Sequence, residues 1–131
     1  DWSSDVCSSD LGAFADAIAR QDVARWGELN AQLHLSLYRH ATLPRTLAIV
    51  TALLQSSDRY TRVQMNRDAA LARAQREHRR LIALVRGGQA AEAAEFLRAH
   101  IEAVRQDLHR LLARQAAGGT RRRKTTRSTV S

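Results

Sequence analysis

Apolar residues recur along most of this chain at intervals of three and four, the spacing of one buried face on a helix. From Asp22 to about Thr42 the stripe is Trp26, Leu29, Leu33 and Leu37, and Asp22 is placed to cap that helix at its start. Leu43-Pro44 ends it, because proline fixes φ and lacks a backbone donor. A helix from Pro44 to about Met65 then carries Leu47, Val50, Leu53 and Leu54. Asn66-Arg67-Asp68 marks the next break, and from Asp68 the residues Leu71, His78, Leu81, Ile82 and Val85 form another stripe. It stops at Gly87-Gly88, whose tolerance of positive φ suits a helix C-terminus. The last helix, about Ala90 to Gln115, presents Phe96, Leu97, Ile101, Val104, Leu108 and Leu111. Upstream, Gly12 to Arg20 reads as the end of a helix with Phe14, Ala17 and Ile18 on its inner side. No strand-like alternation and no internal repeat is present. With connections this short, the pattern predicts an all-α antiparallel helical bundle.

Composition agrees with a single packed domain. The 131 residues are 44% hydrophobic, with one Pro and six Gly, so there is material for a core and little to interrupt helices. One Cys excludes an internal disulfide and a cysteine-rich zinc site. No apolar run reaches the roughly 18 residues that cross a bilayer, and no secretion signal opens the chain, so a cytoplasmic protein without membrane contact is expected.

The net charge of +8 is unevenly placed. Residues 1–11 hold three acids and no base, and their whole string is similar to the forward translation of a widely used sequencing-library adapter. They are set apart from the fold as an artefact segment, which implies that natural sequence before Gly12 is missing. Residues 12–116 then form the helical domain. Residues 117–131 hold five bases, no acid and almost no apolar side chain, and are expected to be a disordered, solvated tail. Arg121 to Lys124 lack the interleaved aromatics of a nucleic-acid site.

The histidines carry the chemistry. His34 lies one turn after Asn30 beside the Trp26, Leu33, Leu37 stripe, His78 sits within its own stripe, and His100 lies between Phe96 and Val104. His109 projects on the polar face with Glu95, Arg98, Glu102 and Arg105, while His40, in the last turn before Pro44, is ambiguous. A single inward histidine is ordinarily a hydrogen-bonded core residue. Three of them from different helices, with the Asn30 amide, are a heavy polar load for a small core, and a divalent metal satisfies them together. Zn, Ni and Mn all suit three nitrogens and one carbonyl oxygen. On the third helix Ser57 and Thr61 face inward, Arg62 lies at the edge and Arg59 points away. Glu77 is the sole acid beside a candidate ligand, set about 100° from His78.

Trp26-Gly-Glu-Leu-Asn30-Ala-Gln-Leu-His34-Leu-Ser-Leu-Tyr38-Arg-His-Ala, then Glu77-His78-Arg-Arg-Leu-Ile-Ala-Leu, then Ala93-Ala-Glu-Phe-Leu-Arg-Ala-His100-Ile resemble the C-terminal effector (FCD) domain of FadR-type GntR transcription regulators. The resemblance spans about residues 12 to 115 and places Asn30, His34, His78 and His100 at the family's metal ligands. It implies an all-helical, dimer-forming domain that binds a small organic acid; by their places on the third helix, Ser57, Thr61, Arg62 and Arg59 are candidate contacts for that acid. Asn30 stands where many relatives have Asp, and Thr42-Leu43-Pro44 replaces their Gly-Asn-Pro turn. The first helix or helices of the bundle and the winged helix-turn-helix that reads DNA are expected upstream of Gly12. The domain would therefore meet DNA only through that missing part. A metal-dependent hydrolase and a metal-free helical dimerisation module are the alternatives. The first needs a general base at the metal, the second only satisfied core histidines.

Overall fold

The structure, a computed structural model, describes residues 6–39, 41–65 and 67–125. It contains five helices: α1 Val6–Ala19, α2 Val23–Leu37, α3 Pro44–Met65, α4 Asp68–Arg86 and α5 Ala90–Thr125. No strand occurs among the described residues, and none of their helices is long and apolar enough to cross a membrane. α1 packs on α2 and α4, α2 on α3, α4 on α3 and α5, and α3 on α5.

Two of the connections share one device. Gly88 adopts φ +70 after α4, the Gly88 N–H bonds the Val85 carbonyl, and the Gln89 N–H reaches back to Leu84. This is a Schellman closure, and glycine enters its left-handed position without steric cost. α1 closes in the same way around Gln21 at φ 55, with Gln21 N–H to Ile18 and Asp22 N–H to Ala17. The Ala17 carbonyl also accepts the Trp26 indole N–H at 3.1 Å, which ties α2 to the end of α1. Asp22 does occupy the N-cap of α2, without a side-chain capping bond. α2 ends at Leu37, short of the expected Thr42, because Tyr38 and Arg39 switch to three-residue bonding with Leu35 and Ser36 and tighten the last turn. Pro44 is the first residue of α3, where its missing N–H costs no helical bond.

The core forms where α1, α2 and α4 meet. Phe14, Ala17, Trp26, Leu29, Met65 and Ala74 make one buried cluster, and Leu81, Leu84 and Ala93 make another between α4 and α5. Leu33 and Ile82 link them, with Leu11 and Leu37 packed alongside. Burial of each large side chain here contributes roughly 1.5 to 3 kcal/mol before entropy is set against it. α1 starts at Val6, within the segment set apart from the fold, and Leu11 packs beside Leu33 and Ile82 because it lies one turn before Phe14 on the same face.

α3 departs from its stripe. Its buried residues are Gln64 and Met65, whereas Leu53 is 62% exposed and Val50 and Leu54 are only half-buried. Ile101 of α5, expected inside, is 52% exposed. These side chains face a cavity between α3 and α5 instead of a packed neighbour. α5 also continues to Thr125, past the expected end at Gln115, so the expected disordered tail is helical over its first part. Ala116, Ala117 and the Arg121–Lys124 run favour helix, against the Gly118-Gly119 pair between them. The remainder of that tail, 126–131, and His40 lie outside the described residues.

Candidate metal centre and ligand cavity

Three histidines from three helices converge: His34 on α2, His78 on α4 and His100 on α5. All are buried, His78 with 1% of its surface exposed. One ring nitrogen from each lies within 4.8 Å of the others, and the ring centroids are 5.1 to 5.4 Å apart. Phe14 packs against His78 edge to face at 5.2 Å and closes the inner side.

Electrostatics keeps two of the rings neutral. Burial pushes His34 from its ordinary 6.5 down to about 4, and nearby His100 adds to that. His78 falls to about 2, first by burial and then through His34 and His100. A neutral imidazole offers a lone pair, the form a metal requires. Neither ring nitrogen of His78 has a hydrogen-bond partner. Such orphaned buried groups cost about 1 to 3 kcal/mol each, and a cation in the centre would satisfy the nitrogen that carries the lone pair. Three buried histidines so arranged could hold a metal ion, and the donor set fits a divalent one.

Beside them lies a cavity of about 520 Å³, within the ~300 to 1,000 Å³ range of small-ligand sites. Asn30, His34 and His100 line it, and His78 sits behind. Ser57 and Thr61 line it too, but their hydroxyls already donate to the Leu54 and Ser57 carbonyls at 3.0 and 3.3 Å. They therefore meet a ligand as acceptors. Arg59 and Arg62 do not line the cavity. Arg59 stacks over Tyr60 and bonds its hydroxyl, while Arg62 pairs with Asp58 one turn back on the same helix. Asp58 in turn lies over Gly27 of α2, where a Cβ would fall 1.4 Å from its Oδ1. That close approach sets the spacing of α2 and α3 on which the position of Asn30 and His34 depends.

The arginine in the lining is Arg73 of α4, which sequence reasoning missed. Its Nη2 lies 2.6 Å from Asp107 of α5 and its Nε 3.6 Å from Glu77. Hydrogen bonds from Arg110 and Arg73 hold the Asp107 carboxyl below its ordinary range. Glu77 itself reaches His100, with Oε2 2.5 Å from Nδ1. The 100° offset from His78 is real, and it aims Glu77 across the α4–α5 contact at the third histidine. His109 is exposed, as expected.

No curated protein and no solved structure matches the chain. A family model, the FCD domain, matches residues 8–103, beginning inside the segment that the sequence set apart and taking in all three histidines. FCD domains are all-helical domains of transcription regulators, so the match agrees with both the bundle and the resemblance to the C-terminal domain of GntR-family proteins. The chain belongs to the FCD domain family.

Proposed function

We propose that this chain is the effector-sensing and dimerisation domain of a GntR-type transcription regulator, binding a small carboxylate at a divalent metal held by Asn30, His34, His78 and His100. The observation that carries the reading is the meeting of three buried histidines, one with both nitrogens unpartnered, at the wall of a ligand-sized cavity. The metal would supply a positive centre to which an acid's oxygen can bind. The four ligands are neutral, so an anion supplies charge that they do not. Arg73 is the lining cation whose charge would favour an anion in the cavity while it stays paired with Asp107, with Ser57 and Thr61 accepting from any hydroxyl the ligand carries. In the intact regulator, ligand binding would favour one arrangement of helices over another and so bias two DNA-binding heads across a dimer.

Metal analysis and thermal shift test this together. Purified protein should bind one divalent ion, His78→Ala should lose it, and His109→Ala should retain it. Small carboxylates should raise the melting temperature of metal-loaded protein by mass action, and the amides of the same acids should do much less. Equal metal content in wild type and His78→Ala refutes the site. Equal stabilisation by acids and amides refutes the carboxylate and leaves the dimerisation module.

A further inference from the structure

We infer that Glu77 is a positioning residue: its carboxylate fixes the ring and tautomer of His100, with Arg73 and Asp107 holding Glu77 in place. The inference rests on the metal reading above and extends it to residues that are not ligands.

A carboxylate oxygen can only accept. At 2.5 Å from Glu77 Oε2, His100 Nδ1 therefore carries the hydrogen, and the ring's lone pair is left on Nε2. His100 has such a partner, whereas both nitrogens of His78 have none. Glu77 is itself restrained from the other side. Arg73 faces its second oxygen, Oε1, at 3.6 Å and is anchored to α5 through Asp107 at 2.6 Å, which also accepts from Arg110 at 2.5 Å. The chain of charges runs from α5 to α4 and back to α5, its Arg73–Glu77 step an ion pair too long for a hydrogen bond.

The charge of Glu77 has a second consequence. Asn30 brings no negative charge to the centre, and neither do neutral imidazoles. A carboxylate bonded to a ligand histidine raises that histidine's basicity and lends it part of the missing charge, and removing such a partner typically costs about 10- to 100-fold in metal affinity. Glu77 thereby supplies indirectly what a carboxylate at position 30 would supply by direct contact. His100 is buried and Glu77 half-buried, so solvent screens the pair less than it would at the surface.

The test reads the tautomer first, because it needs neither metal nor variant. Long-range proton–nitrogen NMR of ¹⁵N-histidine-labelled, metal-free protein at neutral pH should show His100 protonated at Nδ1, and zinc loading should leave that proton in place. Glu77→Ala should lose the Nδ1–H preference and bind zinc about 10- to 100-fold more weakly in a chelator competition. Glu77→Gln, whose amide oxygen can still accept, should keep the tautomer while losing part of the affinity. Protonation of wild-type His100 at Nε2, loss of the Nδ1 proton on zinc loading, or unchanged tautomer and affinity in Glu77→Ala would each overturn the assignment. If wild type binds none of zinc, nickel and manganese, the metal reading falls, and the NMR measurement still decides whether Glu77 orients His100.

Discussion

Acid should unfold the metal-free protein through two identifiable residues. His34 and His78 titrate at 6.5 in an unfolded chain, but burial lowers them to about 4 and about 2 in the folded one, with the neighbouring histidines contributing less. Below 6.5 the unfolded state therefore binds more protons than the folded state, and stability falls as pH falls. The window is set by these shifts. The His34 contribution is intact above 6.5 and spent by about 4, and that of His78 continues toward about 2. Linkage gives a loss of about 2 kcal/mol for each residue by about pH 5, together a large share of the ~5 to 15 kcal/mol that holds a typical domain. Urea unfolding followed by circular dichroism, with chelator present and pH stepped downward from neutrality, measures it. His78→Leu should halve the loss. It should also raise stability at neutral pH, because two unpartnered buried nitrogens disappear while the volume is nearly kept. A divalent metal should oppose the loss until protons displace it. A flat profile between neutrality and about pH 5, or an undiminished loss in His78→Leu, would refute the claim that these rings are buried and neutral.

Three further outcomes follow from packing. Gly27→Ala should destabilise by about 1 to 3 kcal/mol in thermal or urea unfolding, because its Cβ would fall on the Asp58 carboxylate, and adding Asp58→Ala should recover much of the loss. Leu11→Ala should cost about 1 kcal/mol, since its contacts to Leu33 and Ile82 are only partly buried; no change would mean that the start of α1 does not pack. Arg73→Ala should destabilise more than Arg59→Ala, which should stay within about 0.5 kcal/mol of wild type, because Arg73 joins α4 to α5 and Arg59 touches only Tyr60 beside it.

Much of the fold was legible because helical periodicity reports which face is apolar. Trp26, Leu29, Leu33, Leu81 and Ile82 are buried as their spacing required, and Gly87-Gly88 and Pro44 mark element ends for local steric reasons. Periodicity is silent on what an apolar face meets. Val50, Leu53, Leu54 and Ile101 repeat at the same spacing, yet they border a cavity. Composition is equally silent at Leu11, which lies in an acid-rich string and continues the Phe14 face beside Leu33 and Ile82.

The candidate site divides along the same line. His34, His78 and His100 could be found from sequence because each lies on or beside an apolar stripe of its own helix, so three local angles sufficed to point them inward. Arg73 and Glu77 could not be found that way, since neither is inward by the stripe of α4, and their roles arise only where α4 meets α5 at His100 and Asp107. Arg59 and Arg62 attracted attention for the converse reason. An arginine near inward hydroxyls looks like a carboxylate anchor, but Asp58 and Tyr60, one to four residues away, engage both. A donor set readable from single helices is therefore held by charges that pairs of helices create. Changes at the α4–α5 contact therefore reach the histidine centre through Glu77 without altering any of its three rings.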